Sequence, residues 1–154
     1  MIKTHQTVPL LTLLIGRLST YFGKKSSIVV ILDKVKKAIL ILKRSGTDHW
    51  MPNKWAFPGG RVEKDEDHET AAVRETKEET NLDINKRNLY PLSSMKAGRV
   101  KLFVTFNHQG NVDLKAASHG YEHSDYHWVT LKELEKFDIV PEVKDIIGEL
   151  LEEM

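Results

Sequence analysis

The 154-residue chain contains no cysteine, which removes disulfides and thiolate-bound zinc from consideration and fits a reducing compartment. It also lacks a long hydrophobic run. Its most apolar stretch, residues 8–15 (VPLLTLLI), is too short to span a bilayer, and Arg17 and Tyr21-Phe22 follow it instead of a small-residue cleavage site. A folded, cytoplasmic protein without membrane contact is the expectation. An excess of either charge is missing as well: 23 Lys and Arg against 22 Asp and Glu leave +1, which provides no electrostatic footprint for nucleic acid or an anionic membrane. No repeat, low-complexity tract or interdomain linker interrupts the sequence. At this length one well-cored domain over residues 1–154 is expected, with residues 1–24 as an N-terminal extension.

The hydrophobic patterning is that of an α+β domain. Residues 10–22 suit a short helix after Pro9, and the same Leu/Ile run suits a strand. Two apolar runs, residues 28–32 and 38–42, flank Asp33-Lys34-Val35-Lys36-Lys37 and predict a hairpin of buried strands. Residues 43–54 read as a loop. Trp50 within it and Trp55 just beyond suit either a stacking wall for a ligand ring or caps on the core. The spacing predicts a helix over residues 68–80, stopped by Asn81 in a left-handed cap. Residues 88–95, 100–106 and 126–129 read as strands, and residues 108–119 as a loop. Thr130 and Glu133 make a capping box for a brief helix, and Pro141 opens an amphipathic one that must pack on the sheet.

The chemistry is concentrated in residues 55–82, WAFPGGRVEKDEDHETAAVRETKEETNL. Glu75, Glu78 and Glu79 fall at i, i+3 and i+4, so a helix projects them onto one face, where they repel by about a few tenths of a kcal/mol per pair. A hard divalent cation, which prefers oxygen ligands, turns that repulsion into ligation. Gly59 and Gly60 carry no side chains, so backbone approaches closely there and the Gly59 carbonyl can complete a coordination shell. A solvated acidic face is the plain alternative, but Gly59-Gly60, Glu66 and Arg74 serve no evident purpose on a merely solvated helix.

Written as a pattern, Gly60, Glu66 and Arg74-Glu75-Thr76-Lys77-Glu78-Glu79-Thr80-Asn81-Leu82 closely resemble the Nudix hydrolase signature, G-x5-E-x7-R-E-U-x-E-E-x-G-U with U aliphatic. The preceding Trp-x-Phe-Pro-Gly-Gly and the later Glu122-His123 and Trp128 also look like the family. Thr76 and Asn81 depart from the pattern, at an aliphatic and a glycine position. Thr76 is tolerable if its hydroxyl bonds a carbonyl one turn back, and Asn81 if it takes the left-handed cap.

The resemblance implies an α/β/α sandwich with a mixed central sheet and flanking helices. It implies hydrolysis of a pyrophosphate bond in a nucleoside diphosphate linked to another moiety, with Mg2+ or Mn2+. Glu75, Glu78 and Glu79 are then the expected metal ligands together with Gly59, and Gly60, Glu66 and Arg74 support them, with Glu66 as a partner of Arg74 or an outer ligand. Glu79 and Glu122 are the candidate bases. Trp50, Phe57, Arg99, Tyr121 and His123 are candidate substrate-binding residues, and Tyr126 a further stacker.

His119, His123 and His127 are spaced as a helical zinc site would be, but Gly120 argues against a helix. They read as solvent- or ligand-facing, with His123 near a substrate phosphate and no catalytic part for His119 or His127. The subfamily marks for ADP-ribose (a proline) and dinucleoside polyphosphates (a tyrosine) are absent from their window, which holds Ala97, Gly98, Arg99 and Val100. The expected partner is a small-molecule nucleotide, with nucleic acid disfavoured, and the expected assembly a monomer or homodimer. The alternatives are a catalytically silent nucleotide sensor on the same fold and an RNA 5′-end pyrophosphohydrolase.

Overall fold

The run SSIVVILD forms strand β1 (Ser26–Asp33), and its alternation lets both faces be buried. Ile28, Val30 and Leu32 join one core cluster, while Val29 and Ile31 join the other. The structure, a computed structural model, describes residues 25–95 and 98–154, so the helix-or-strand reading of residues 10–22 lies outside the described residues.

Strand β2 (Ala38–Arg44) returns from β1 through a turn in which Asp33 Oδ1 accepts the Val35 and Lys36 N–H groups, both at 3.0 Å. The expected hairpin is present but short. Only Leu32↔Ile39 and Asp33↔Ala38 pair before the strands part. The cause is a choice of partners. β1 runs parallel to β6 (Val100–Thr105) from Ser26↔Val100 to Ile31↔Thr105, whereas β2 runs antiparallel to β7 (His123–Thr130) from Ala38↔Thr130 to Arg44↔His123.

The open fork is filled by residues 55–61. β3 (Trp55–Ala56) pairs with β2, the Pro58 carbonyl accepts Val29 N–H at 3.0 Å, and β4 (Gly59–Arg61) pairs with β1 through Ile28↔Gly59 and Ser26↔Arg61. With β5 (Tyr90–Met95) on β6, the mixed sheet has seven strands among the described residues.

Helix α1 (His68–Thr80) covers one face and α2 (Pro141–Glu152) the other. α1 begins where Asp67 accepts Thr70 N–H at 2.7 Å. It ends at Asn81, left-handed at φ 69°, whose N–H reaches the Lys77 carbonyl at 3.0 Å. The departure at Asn81 is thus accommodated as expected. The one at Thr76 is not: the Thr76 hydroxyl is buried with no hydrogen-bond partner, and it is Thr80 Oγ1 that bonds back, to the Thr76 carbonyl at 2.6 Å. The brief helix after β7 is a 3-10 turn, Leu131–Lys136, with Glu133 accepting Thr130 N–H at 3.1 Å. No helix among the described residues is long and apolar enough to cross a membrane.

Candidate active site

The stripe that α1 turns to the sheet is His68, Ala71, Ala72, Thr76, Glu79 and Thr80, all buried. Glu79 is therefore the carboxylate on the inward stripe, while Glu75 and Glu78 flank it. At 2% exposure Glu79 has one hydrogen bond, from Gly59 N–H to Oε1 at 3.1 Å, and its Oε2 lies 3.5 Å from His123 Nε2. Burial, then the neighbouring Glu75 and Glu122, push the Glu79 carboxyl well above its ordinary range. Burial and the charges of Glu78 and Glu122 likewise raise Glu75, despite the lowering effect of Arg74.

The two glycines of β4 are set by close approach. A Cβ on Gly59 would stand 2.5 Å from the Ser27 carbonyl oxygen, and one on Gly60 would collide with the Glu75 carboxylate. Arg74 grips Glu66 with a bidentate fork, Nε to Oε2 at 2.8 Å and Nη2 to Oε1 at 2.9 Å. It also donates to Glu75 Oε1 at 2.9 Å, Glu78 Oε2 at 3.1 Å and the Arg61 carbonyl at 2.9 Å. The pairing lowers the Glu66 pKa, chiefly through the Arg74 hydrogen bonds, and raises that of Arg74. Glu66 is accordingly the partner of Arg74.

A cleft opens over Glu79 at the mouth of the fork, with Arg44, Asp48, Trp50, Phe57, Gly59, Glu122 and His123 around it and Ile28, Ala56 and Val143 as its apolar floor. Trp50, Phe57, His123 and Glu122 are thus brought to the site. Trp55 is not: it is buried edge-on against Phe137 at 5.1 Å, so only one of the two tryptophans lines the cleft.

Arg99 lies elsewhere. Its carbonyl contacts His68 Nε2 at 3.0 Å, at the first residue of α1, roughly 16 Å along the axis from Glu79. Tyr121 is 74% exposed and outside the cleft lining, against the ring of His119. Of the three histidines read as solvent- or ligand-facing, His123 lines the cleft. It is buried, and burial followed by the Arg44 charge lowers its pKa to about 4, so it enters the cleft as a neutral ring. His127 instead contacts Glu133 at 3.1 Å and packs on Phe137.

Two residues to which the sequence reading gave no part stand at the site. Arg44 ends β2 at the mouth of the cleft, its guanidinium 4.5 Å above the Trp50 ring, with Nη2 on Asp48 at 2.6 Å and Nε on the Trp50 carbonyl at 2.8 Å. Its Nη1 has no such partner among the described residues, which leaves two N–H donors for a ligand. The second is His119, whose Nδ1 stands 3.1 Å from Glu78 Oε2. A basic residue closing a strand and a histidine in a polar loop carry no distinguishing signal in sequence.

Among the described residues no three Asp, Glu or His side chains converge closely enough to hold an ion as they stand, since Arg74 and His119 occupy Glu75 and Glu78. The donor set nevertheless fits a hard divalent cation. It is all oxygen, and the buried Glu79 and half-buried Glu75 are both disfavoured as bare carboxylates, which such an ion would offset.

The chain is similar to known proteins in sequence and in fold. An mRNA-decapping enzyme subunit 2 from Arabidopsis thaliana is 33% identical over 78 residues, 49% of this chain and 20% of that protein, so this chain spans about a fifth of that relative's length. A prenyl-diphosphate phosphatase from Methanosarcina mazei is 28% identical over 123 residues, 75% of this chain and 71% of that protein. Among solved structures, a MutT protein studied from Aliivibrio salmonicida and Vibrio cholerae superposes with TM-score 0.66 at 19% identity, covering 85% of this chain and 98% of that one. A C. elegans Ap4A hydrolase superposes at 0.53 with 30% identity, covering 84% and 94%. The NUDIX domain model matches residues 23–150, and the chain belongs to the Nudix family.

Proposed function

We propose that the chain hydrolyses the pyrophosphate bond of a nucleoside diphosphate linked to a further moiety, using Mg2+ or Mn2+ held by Glu75, Glu78, Glu79 and the Gly59 carbonyl. The observation that carries this reading is Glu79, a buried carboxyl with a single backbone hydrogen bond, facing a cleft that also holds an arginine with free donors. When bound, the cation supplies a Lewis acid for phosphoryl oxygens and lowers the pKa of an attacking water. Glu79, facing the cleft with a single backbone hydrogen bond, and Glu122 on the same cleft are the two candidate bases for that water's proton. Arg44 Nη1 donates to a phosphoryl oxygen away from the carboxylates, and Trp50 and Phe57 supply an apolar wall for a ring.

A second reading has a specific observation in its favour. The apolar floor of Ile28, Ala56 and Val143 also suits a hydrocarbon diphosphate, the substrate type in the name of the archaeal relative. A panel of NTPs, ADP-ribose, NADH, dinucleoside polyphosphates, a prenyl diphosphate and capped RNA separates the readings. Release of a nucleotide product, dependent on Mg2+ or Mn2+, is expected from at least one nucleotide. Glu78→Gln should remove most of that turnover in a folded protein, and an unchanged rate would sink the assignment. Tight nucleotide binding without any product would favour the silent sensor.

A further inference from the structure

The loop of residues 108–119 is fastened across the C-terminal end of α1, where a helix leaves carbonyls without internal partners. Asp113 N–H donates to the Thr80 carbonyl at 3.0 Å and His119 N–H to the Glu78 carbonyl at 2.7 Å. Further back, Asp83 and Gln109 exchange both backbone hydrogen bonds, at 3.0 and 2.8 Å. Gly120 closes the strap: a Cβ there would collide with the Leu114 carbonyl, so the chain turns with no room for a side chain.

The outcome is that His119 meets Glu78 with both its backbone and its side chain. Its backbone N–H takes the Glu78 carbonyl, and its Nδ1 meets Glu78 Oε2 at 3.1 Å. Arg74 Nη1 approaches the same Oε2, also at 3.1 Å. Oε1 of Glu78 has no hydrogen-bond or ion-pair partner among the described residues. Tyr121 packs edge-on against the imidazole at 5.9 Å, limiting its swing.

We propose that His119 is a positioning residue for the metal site: with Arg74 it fixes the Glu78 carboxylate through Oε2 and leaves Oε1 to meet the cation. The inference rests on the reading of Glu78 as a metal ligand. A glutamate side chain has several rotatable bonds, and holding them before the ion arrives removes that ordering cost from the binding step. The sequence reading of His119 as a bystander is replaced by a part that acts only through Glu78.

The test is Mn2+ titration of the metal-free full-length chain, followed by calorimetry or by loss of the free-ion paramagnetic signal. His119→Ala, His119→Asn and Glu78→Gln are compared with the unaltered protein. Asparagine carries an amide N–H near the place of Nδ1, and alanine carries none. His119→Ala should weaken Mn2+ binding by about 10–100-fold, the usual cost of losing an outer-shell partner, and lower kcat with little change in KM. His119→Asn should recover most of both. Thermal stability should hold in each, because the backbone bond to Glu78 remains. Wild-type Mn2+ affinity in His119→Ala, or an asparagine variant as impaired as the alanine one, overturns the positioning role. Glu78→Gln separates the two failures. If it weakens Mn2+ binding while His119→Ala does not, only the positioning fails; if it binds as tightly as wild type, the ligand reading falls and the positioning with it.

Discussion

Arg74 has five N–H donors, and they divide among Glu66, Glu75, Glu78 and the Arg61 carbonyl. Lysine offers a point charge with no fork, so this brace has no conservative substitute. The same crowding makes Gly60 a sensitive position. Gly60→Ala would drive a methyl into the Glu75 carboxylate, and the side chain would have to rotate away. Steady-state kinetics should show a loss of about 100-fold in kcat with the fold retained, the scale on which small misplacements reduce catalysis. Activity near wild type would mean that Glu75 is not needed where it stands. The partnership of Glu66 and Arg74 was legible in the sequence because both lie within one continuous motif. The choice between Arg44 and Arg99 was not. Both are basic residues at strand ends, and only the pairing of β2 with β7, far apart in sequence, puts Arg44 at the cleft.

At the scale of the element, α1 was readable to the residue because both ends are specified locally. Asp67 caps the start, and Asn81 takes the left-handed conformation that closes the end. Asp67 adds a charge term through Lys86, 2.8 Å away, and its pKa is lowered, first by that contact and then by the hydrogen bonds from Thr70. A carboxyl with a lowered folded-state pKa contributes stability that is complete above its ordinary value of 3.8 and is lost as pH falls toward the folded-state value. Asp67→Asn keeps an acceptor for Thr70 N–H but not the charge. Its melting temperature, followed by circular dichroism from neutral pH downward, should lose this part of the acid dependence; curves parallel to wild type at low pH would show that the charge does not matter. β3 and β4, by contrast, had no sequence signal. Two and three residues are too few to show a period, and they are strands only because β1 and β2 diverge and leave edges to be paired.

For the whole molecule, the fork gathers carboxylates at one place, and a ligand that binds only the folded chain stabilises it by mass action. At a hundredfold excess of Mg2+ or Mn2+ over its Kd, stabilisation of about 2.7 kcal/mol is expected, a rise of about 5–10 °C in Tm that a chelator should reverse. Scanning calorimetry showing no shift with either ion would count against a metal site built on Glu75 and Glu79. The α+β class was legible because the longer strands and the last helix carry their own apolar patterns, and the three-layer arrangement came from the resemblance of the central motif. The parting of the hairpin was not, since it depends on which distant strand each arm prefers.

That parting has an evolutionary consequence. One arm, β1 with β4 and α1, carries Gly59, Gly60 and the glutamates, while the other, β2 with β7 and the loop between β2 and β3, carries Arg44, Asp48, Trp50 and His123. On the proposed function, substitutions at Arg44, Asp48 and Trp50 would retune what is bound while the glutamates of the first arm stay untouched, so affinity for a new ligand and the acidic centre could drift separately in descendants of this chain.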